Sequence, residues 1–188
     1  MAVIGLSKPY YGIYSATGNA VSYADGASMG KATEANIDIN TTEDNNLYAD
    51  NAIAETDRSF AGGTLALSTD DLSQEVTKVI LGLTENTITG IEGVTDTSVK
   101  ELVYDDTQTT PYLGVGFIIK KKVGGAYKWR AVVLCKVMFS VPADAATTQG
   151  ESIEWQVPDL SATIMRDDSA TRMWKREATF TTEAQAEA

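Results

Sequence analysis

Residues 112–141, YLGVGFIIKKKVGGAYKWRAVVLCKVMFSV, decide the fold class. Two runs rich in β-branched and aromatic residues, Tyr112 to Lys122 and Ala126 to Val141, flank Gly124-Gly125, the pair that supplies the positive φ angles of a tight hairpin turn. Successive side chains of a strand point to opposite faces. On the second run Trp129, Ala131, Val133, Cys135, Val137 and Phe139 therefore share one face, and Arg130, Val132, Leu134, Lys136 and Met138 share the other. One face is core and the other half-polar.

The same period recurs outward from this hairpin. Lys8 to Thr17 is aromatic-rich, Gly18-Asn19 turns, and Val21 to Ala24 resumes before Asp25-Gly26, which reads as a second hairpin. Residues 34–40 place Ala35, Ile37 and Ile39 on one face, with Glu34, Asp38 and Asn40 on or near the other. Arg58 to Ser68 is strand-like, with Leu65 and Leu67 together and Gly62-Gly63 marking a bulge or a close backbone approach. One segment has helical spacing: Leu72, Val76, Val79, Ile80 and Leu83, starting near Asp70-Asp71, with Asp71 and Gln74 at capping-box spacing and Gly82 as a stop. Residues 84–98 read as loop or weak strand. Residues 151–157 alternate strictly, Leu160 to Met165 continues beyond Pro158, and Trp174 to Thr181 makes a last strand. About eight or nine strands with one helix predict a mainly β chain, an antiparallel β-sandwich or partly closed barrel with one flanking α-helix. Residues 1–181 form the single domain and residues 182–188 a short flexible tail.

The charge is uneven. The chain has 188 residues, 15 basic and 26 acidic, for a net −11 without any histidine. Residues 1–99 hold 4 Lys and Arg against 14 Asp and Glu, net −10, and residues 100–188 hold 11 against 12, net −1. An acid-rich surface repels phosphate backbones and excludes the counterion-release affinity of an ordinary nucleic-acid binder. The N-terminus MAVIGLSKPYYG has no basic leader, and no run of apolar residues is long enough for a membrane helix, so neither export nor membrane insertion is expected.

Catalytic constellations do not assemble. Without histidine the usual general base and the Ser-His-Asp arrangement are missing. Cys135, the single cysteine, sits in an apolar alternation and reads as a buried structural thiol. Asp44, Asn46 and Asp50 hint at calcium, but an EF-hand loop needs Gly at its sixth position, where this chain has Ala49. Asp70-Asp71, Asp105-Asp106 and Asp167-Asp168 fall where turns and caps expect Asp. Gly114-Val115-Gly116 lacks the third glycine of a dinucleotide fingerprint. No enzyme activity, metal or cofactor is expected. The basic run Lys120-Lys121-Lys122, with Lys128 and Arg130 across the turn, reads either as a solvated, lysine-guarded hairpin tip or as half of an electrostatic interface.

Residues 41–57, TTEDNNLYADNAIAETD, hold five carboxylates and neither Pro nor Gly, and they lie between two strand-like segments. They read as a long inserted loop, and structureless loops beyond about 12–15 residues are usually functional or disordered. The order of features, with KPYYGIYSATGNAVSYADG at 8–26 and GESIEWQVPDLSATIM at 150–165, resembles the major tail proteins of long-tailed bacteriophages of Gram-positive hosts. The resemblance spans nearly the whole chain and implies a tail-tube-like fold assembled into stacked hexameric rings. It implies a virion protein made in the host cytoplasm, whose partners are copies of itself and tail proteins such as the tape measure, distal tail and terminator proteins, with DNA passing through unbound. It also casts 41–57 as an inter-subunit arm, with Leu47, Tyr48 and Ile53 as apolar anchors and Asp50 and Glu55 meeting basic groups or solvent. Glu34, Asp38 and Asp57 become candidate lumen carboxylates. Lys120, Lys121 and Lys122 become candidate interface cations. The rival readings are a carbohydrate-binding or adhesin-like β-sandwich module and a secretion-system tube protein.

Overall fold

The computed structural model describes residues 2–43, 45–90, 92, 99–143, 148 and 157–188, with only the backbone described for Asn45 and Asp57. The strand expected at 151–157 and much of the 150–165 motif lie outside these residues. The long hairpin is present as β9 (Leu113–Val123) and β10 (Ala126–Phe139), turning at Gly124 and Gly125 with φ of 56° and 85°. Around it an antiparallel sheet forms from β1 (Ala2–Thr17), β2 (Ala20–Ser28), β3 (Ala32–Thr41), β6 (Phe60–Thr69), β11 (Asp159–Met165) and β12 (Lys175–Phe180). Its order is β2-β1-β9-β10-β11-β6-β3, and β12 pairs with the first half of β10 where β11 pairs with the second. The sheet curls without closing. β3 returns beside β1, but among the described residues no ladder joins the two strands. The fold is thus the expected mainly β architecture, an antiparallel β-sandwich with a flanking helix.

One feature departs from the simple alternation of β10. Leu134 stands opposite Val115 and Val137 opposite Leu113, so Cys135 and Lys136 together face Gly114 alone. This is a β-bulge, one extra residue that reverses the inward phase of the strand. Val132 and Leu134 point into the core before it and Val137 and Phe139 after it, all at 2% exposure or less. Trp129, Ala131 and Val133 are consequently on the outer face, and the single core-facing set read from the sequence is split between both parities. A bulge leaves backbone groups unpaired, and here each has a partner: the Cys135 N–H donates to Trp174 O at 3.0 Å, and Cys135 O accepts from the Tyr23 hydroxyl at 2.7 Å. The Tyr23 ring lies so close to Gly114 that a Cβ there would sit 2.4 Å from it. Only glycine fits under that ring.

The core is completed by Leu65 and Leu67 of β6, Leu160 and Ile164 of β11 and the helix α1 (Gln74–Leu81), which buries Val76, Ile80 and Leu81. The helix starts later than expected. Asp70 is held in a turn, accepting from the Lys31 N–H at 2.7 Å while its own N–H donates to Lys31 O. Ser73 is therefore the N-cap, accepting from the Val76 N–H at 3.3 Å, and Asp71 is not. Gly82 ends the helix with φ 67°, packed where a Cβ would meet Thr109 O at 2.1 Å. Residues 84–87 form β7 (Thr84–Thr87), a short ribbon with β8 (Lys100–Val103), the latter unmarked in the sequence.

Tyr23→Phe leaves the Cys135 carbonyl without its donor, and a buried acceptor so stranded costs about 1–3 kcal/mol. Urea unfolding is expected to show that loss, while Tyr127→Phe, at an exposed ring on the outer face, leaves stability unchanged.

Candidate functional site

The segment 41–57 is not a loop. It contains β4 (Asn45–Ala49) and β5 (Ala52–Asp57), paired antiparallel and closed by Ala49 opposite Ala52. Asp50 and Asn51 make the turn with φ of 50° and 61°, the double positive φ of a type I′ hairpin. Asp and Asn tolerate this left-handed conformation without glycine, which is why no turn was marked in the sequence. Because β3 already pairs with β6, the four strands make one hairpin that runs out of the body. As a folded hairpin, Thr42 to Asp50 spans about 30 Å at ~3.3 Å per residue, roughly half the reach of the same segment pulled straight.

The root of this arm is clamped. Thr41 pairs with Phe60, the Thr42 N–H donates to Ser59 O at 2.8 Å, and the Ser59 N–H donates back to Thr42 Oγ1 at 3.0 Å. Phe60 stacks on Trp174 with centroids 4.7 Å apart, and Arg166 donates to Phe60 O at 2.6 Å. Beyond the root the arm makes, among the described residues, no extensive contact with another element. Leu47, Tyr48 and Ile53 are 59%, 66% and 55% exposed. A bulge at Ala54 sets Tyr48 directly opposite Ile53, so these two share a face, while Leu47 stands opposite Glu55. Asp50 and Glu55 are exposed as well. An isolated two-stranded ribbon is marginally stable in water, and this one carries bare apolar side chains.

The basic run is divided by the pleat. Lys120 stands opposite Trp129 and Lys122 opposite Tyr127, and both ammonium groups lie over the Tyr127 ring, at 4.6 and 5.9 Å from its centroid. Lys121 faces the other way, opposite Lys128. The three lysines are therefore not one patch.

Glu34 and Asp38 do come together. The register aligns three rows across β3, β6 and β11: Glu34–Ser68–Asp159, Asn36–Ala66–Ser161 and Asp38–Thr64–Thr163. All lie on the face opposite the core. It is a surface of small polar side chains and three carboxylates with no Lys or Arg in its rows. Asp159, which the sequence reading passed over, belongs to this face. Asp57 does not share it, since its backbone lies in β5 at the base of the arm, and its side chain is outside the described residues.

Two further clusters carried no sequence signal because their members are far apart in the chain. Lys136, displaced by the bulge, donates to Asp168 at 2.7 Å and lies over the rings of Tyr14 and Tyr112, and Tyr14 also donates to Asp168. The hydrogen bonds from Lys136 and then Tyr14 hold the Asp168 carboxyl below the usual range. The predicted tail contains a short helix, α2 (Glu183–Glu187), capped by Thr182. Glu187 accepts from Lys8 and, at 3.1 Å, from Tyr10. An apolar cleft of about 320 Å³ opens beside this region, bordered by Tyr10, Gly12, Tyr23 and Gly114. The Tyr23 hydroxyl is committed to the bulge, and its pKa is raised by burial.

Among the described residues no three His, Cys, Asp or Glu side chains converge to hold a metal ion, and no helix is long and apolar enough to cross a membrane. No known family model matches the chain, and no curated protein matches it.

A carboxyl held below its ordinary value stabilises the fold above the unfolded pKa, near 3.9, and loses that contribution as pH falls through the folded value. Asp168→Asn is therefore expected to lower the urea midpoint at pH 7, with the gap to the parent chain narrowing as pH is taken toward about 2.

Proposed function

We propose that this chain is a structural subunit that assembles with copies of itself into stacked hexameric rings, forming the tube of a long bacteriophage tail through which DNA passes into the host. The observation that carries the reading is the arm: a rigidly rooted hairpin presenting Leu47, Tyr48 and Ile53 to solvent, away from its own domain. Such a hairpin finds its missing packing surface on a neighbouring copy. Head-to-tail contacts that close make a ring, and rings that stack make a tube.

The β3–β6–β11 face suits the inner wall. Glu34, Asp38 and Asp159 set negative charge among Ser, Thr and Asn side chains, which repels phosphates and offers no cation to hold them. Catalysis has no part in this role. The work is to assemble with other tail proteins, such as the tape measure, distal tail and terminator proteins, and to let the genome slide. The sequence resemblance to major tail proteins supports the same reading.

Deleting residues 43–55 tests it. The Thr42–Ser59 pair remains, and residues 56–58 close the turn, so the body is expected to keep its circular dichroism spectrum and unfolding midpoint. In sedimentation velocity the truncated chain stays monomeric at concentrations where the full chain polymerises. Equal polymerisation of both chains contradicts the arm's role.

A further inference from the structure

Two complementary surfaces leave the same end of this molecule. The arm segment 43–57 carries Glu43, Asp44, Asp50, Glu55 and Asp57 with no Lys or Arg, and the hairpin tip 120–130 carries Lys120, Lys121, Lys122, Lys128 and Arg130 with no Asp or Glu. Their formal charges are −5 and +5. β6 and β10 both pair antiparallel with β11, so they run in the same direction, and the row Gly63–Ile164–Val137 fixes their relative level. The chain before Phe60, which is the arm, and the chain before Trp129, which is the hairpin tip, thus project beyond one end of the sheet.

Among the described residues most of these charges have no ion-pair partner within the chain; Arg130, which pairs with Glu177 at 3.9 Å, is the exception. Among the described residues Asp50 and Glu55 enter no ion pair, and neither do Lys120, Lys121, Lys122 and Lys128. The apolar parts are also bare. Tyr127 is 49% and Val123 38% exposed on the tip, against Leu47, Tyr48 and Ile53 on the arm. The arm makes no extensive contact with β9 or β10 of its own chain.

We propose that the arm of one copy docks on the β9–β10 tip of a second copy, with Tyr48 and Ile53 covering Tyr127 and the arm carboxylates meeting Lys120 and Lys122. This rests on the self-assembly reading and names the surface that receives the arm. Lys120 and Lys122 stand on the Tyr127 face, so the contact uses these two and leaves Lys121 outside it. A single exposed ion pair contributes little, but several of one sign meeting several of the other steer the encounter and set its register.

The test uses two full-length variants, Asp50→Lys with Glu55→Lys and Lys120→Glu with Lys122→Glu, each checked for folding by circular dichroism. In each variant the arm and tip acquire like charge at the contact, and self-association is expected to weaken by about tenfold or more. Mixed one to one, the reversed arm meets the reversed tip and the unaltered arm meets the unaltered tip, so the mixture assembles within about threefold of the parent chain. Assembly of the mixture also establishes that docking is between copies. A mixture that remains dissociated, or single variants that assemble like the parent, overturns the docking and leaves the self-assembly reading standing. A parent chain that is monomeric at every concentration overturns both.

Discussion

The extra residue in β10 is the constraint on which the rest of the structure depends. β10, fourteen residues long, has two partners along one edge, β12 in its first half and β11 in its second, and the residues that face the core differ in parity between the two halves. The bulge at Cys135-Lys136 accounts for this by reversing the phase between them, so that Val132 and Leu134 and then Val137 and Phe139 all reach the core. Its loose backbone groups draw in Tyr23 from β2 and Trp174 from the approach to β12. Trp174 in turn stacks on Phe60, the residue from which the arm departs. A defect in one central strand thereby fixes the outer strands and the root of the arm.

That chain of contacts bears on the proposed assembly. An arm on a soft root would lose conformational entropy each time it docked, whereas one held by a backbone clamp, a ring stack and an arginine is already ordered where it leaves the body. Charge is distributed to the same end. The acidic β3–β6–β11 face, the acidic arm and the basic hairpin tip occupy separate regions of one small molecule, and the net −11 conceals this separation.

Much of the fold was legible because strongly periodic segments carry their own address. The long hairpin, the half-buried strand at 34–40 and the Leu72-to-Leu83 periodicity each state element type and inward face. The arm does not announce itself as a hairpin, for a local reason: Asp50-Asn51 makes a glycine-type turn with residues that also populate plain loops, and exposed Leu47, Tyr48 and Ile53 are not paired with polar residues in a clean alternation. The bulge was hidden because Val, Leu and Cys occupy both parities of β10, so alternation allowed either face inward. Asp71 lost the cap to Ser73 through a contact with Lys31, thirty-nine residues from Asp70, that no local pattern reports. Of the site residues, Glu34 and Asp38 share a face because they are two turns of the pleat apart, whereas Lys120 and Lys121 are neighbours in sequence and therefore on opposite faces. Asp159 could have been found only by knowing that β11 lies beside β6.

Negative-stain electron microscopy of the concentrated, purified chain tests the central claim most directly. Rings and hollow tubes of uniform diameter are the predicted result. Monodisperse single particles at every concentration, with light scattering that reports only the monomer mass, would contradict the account.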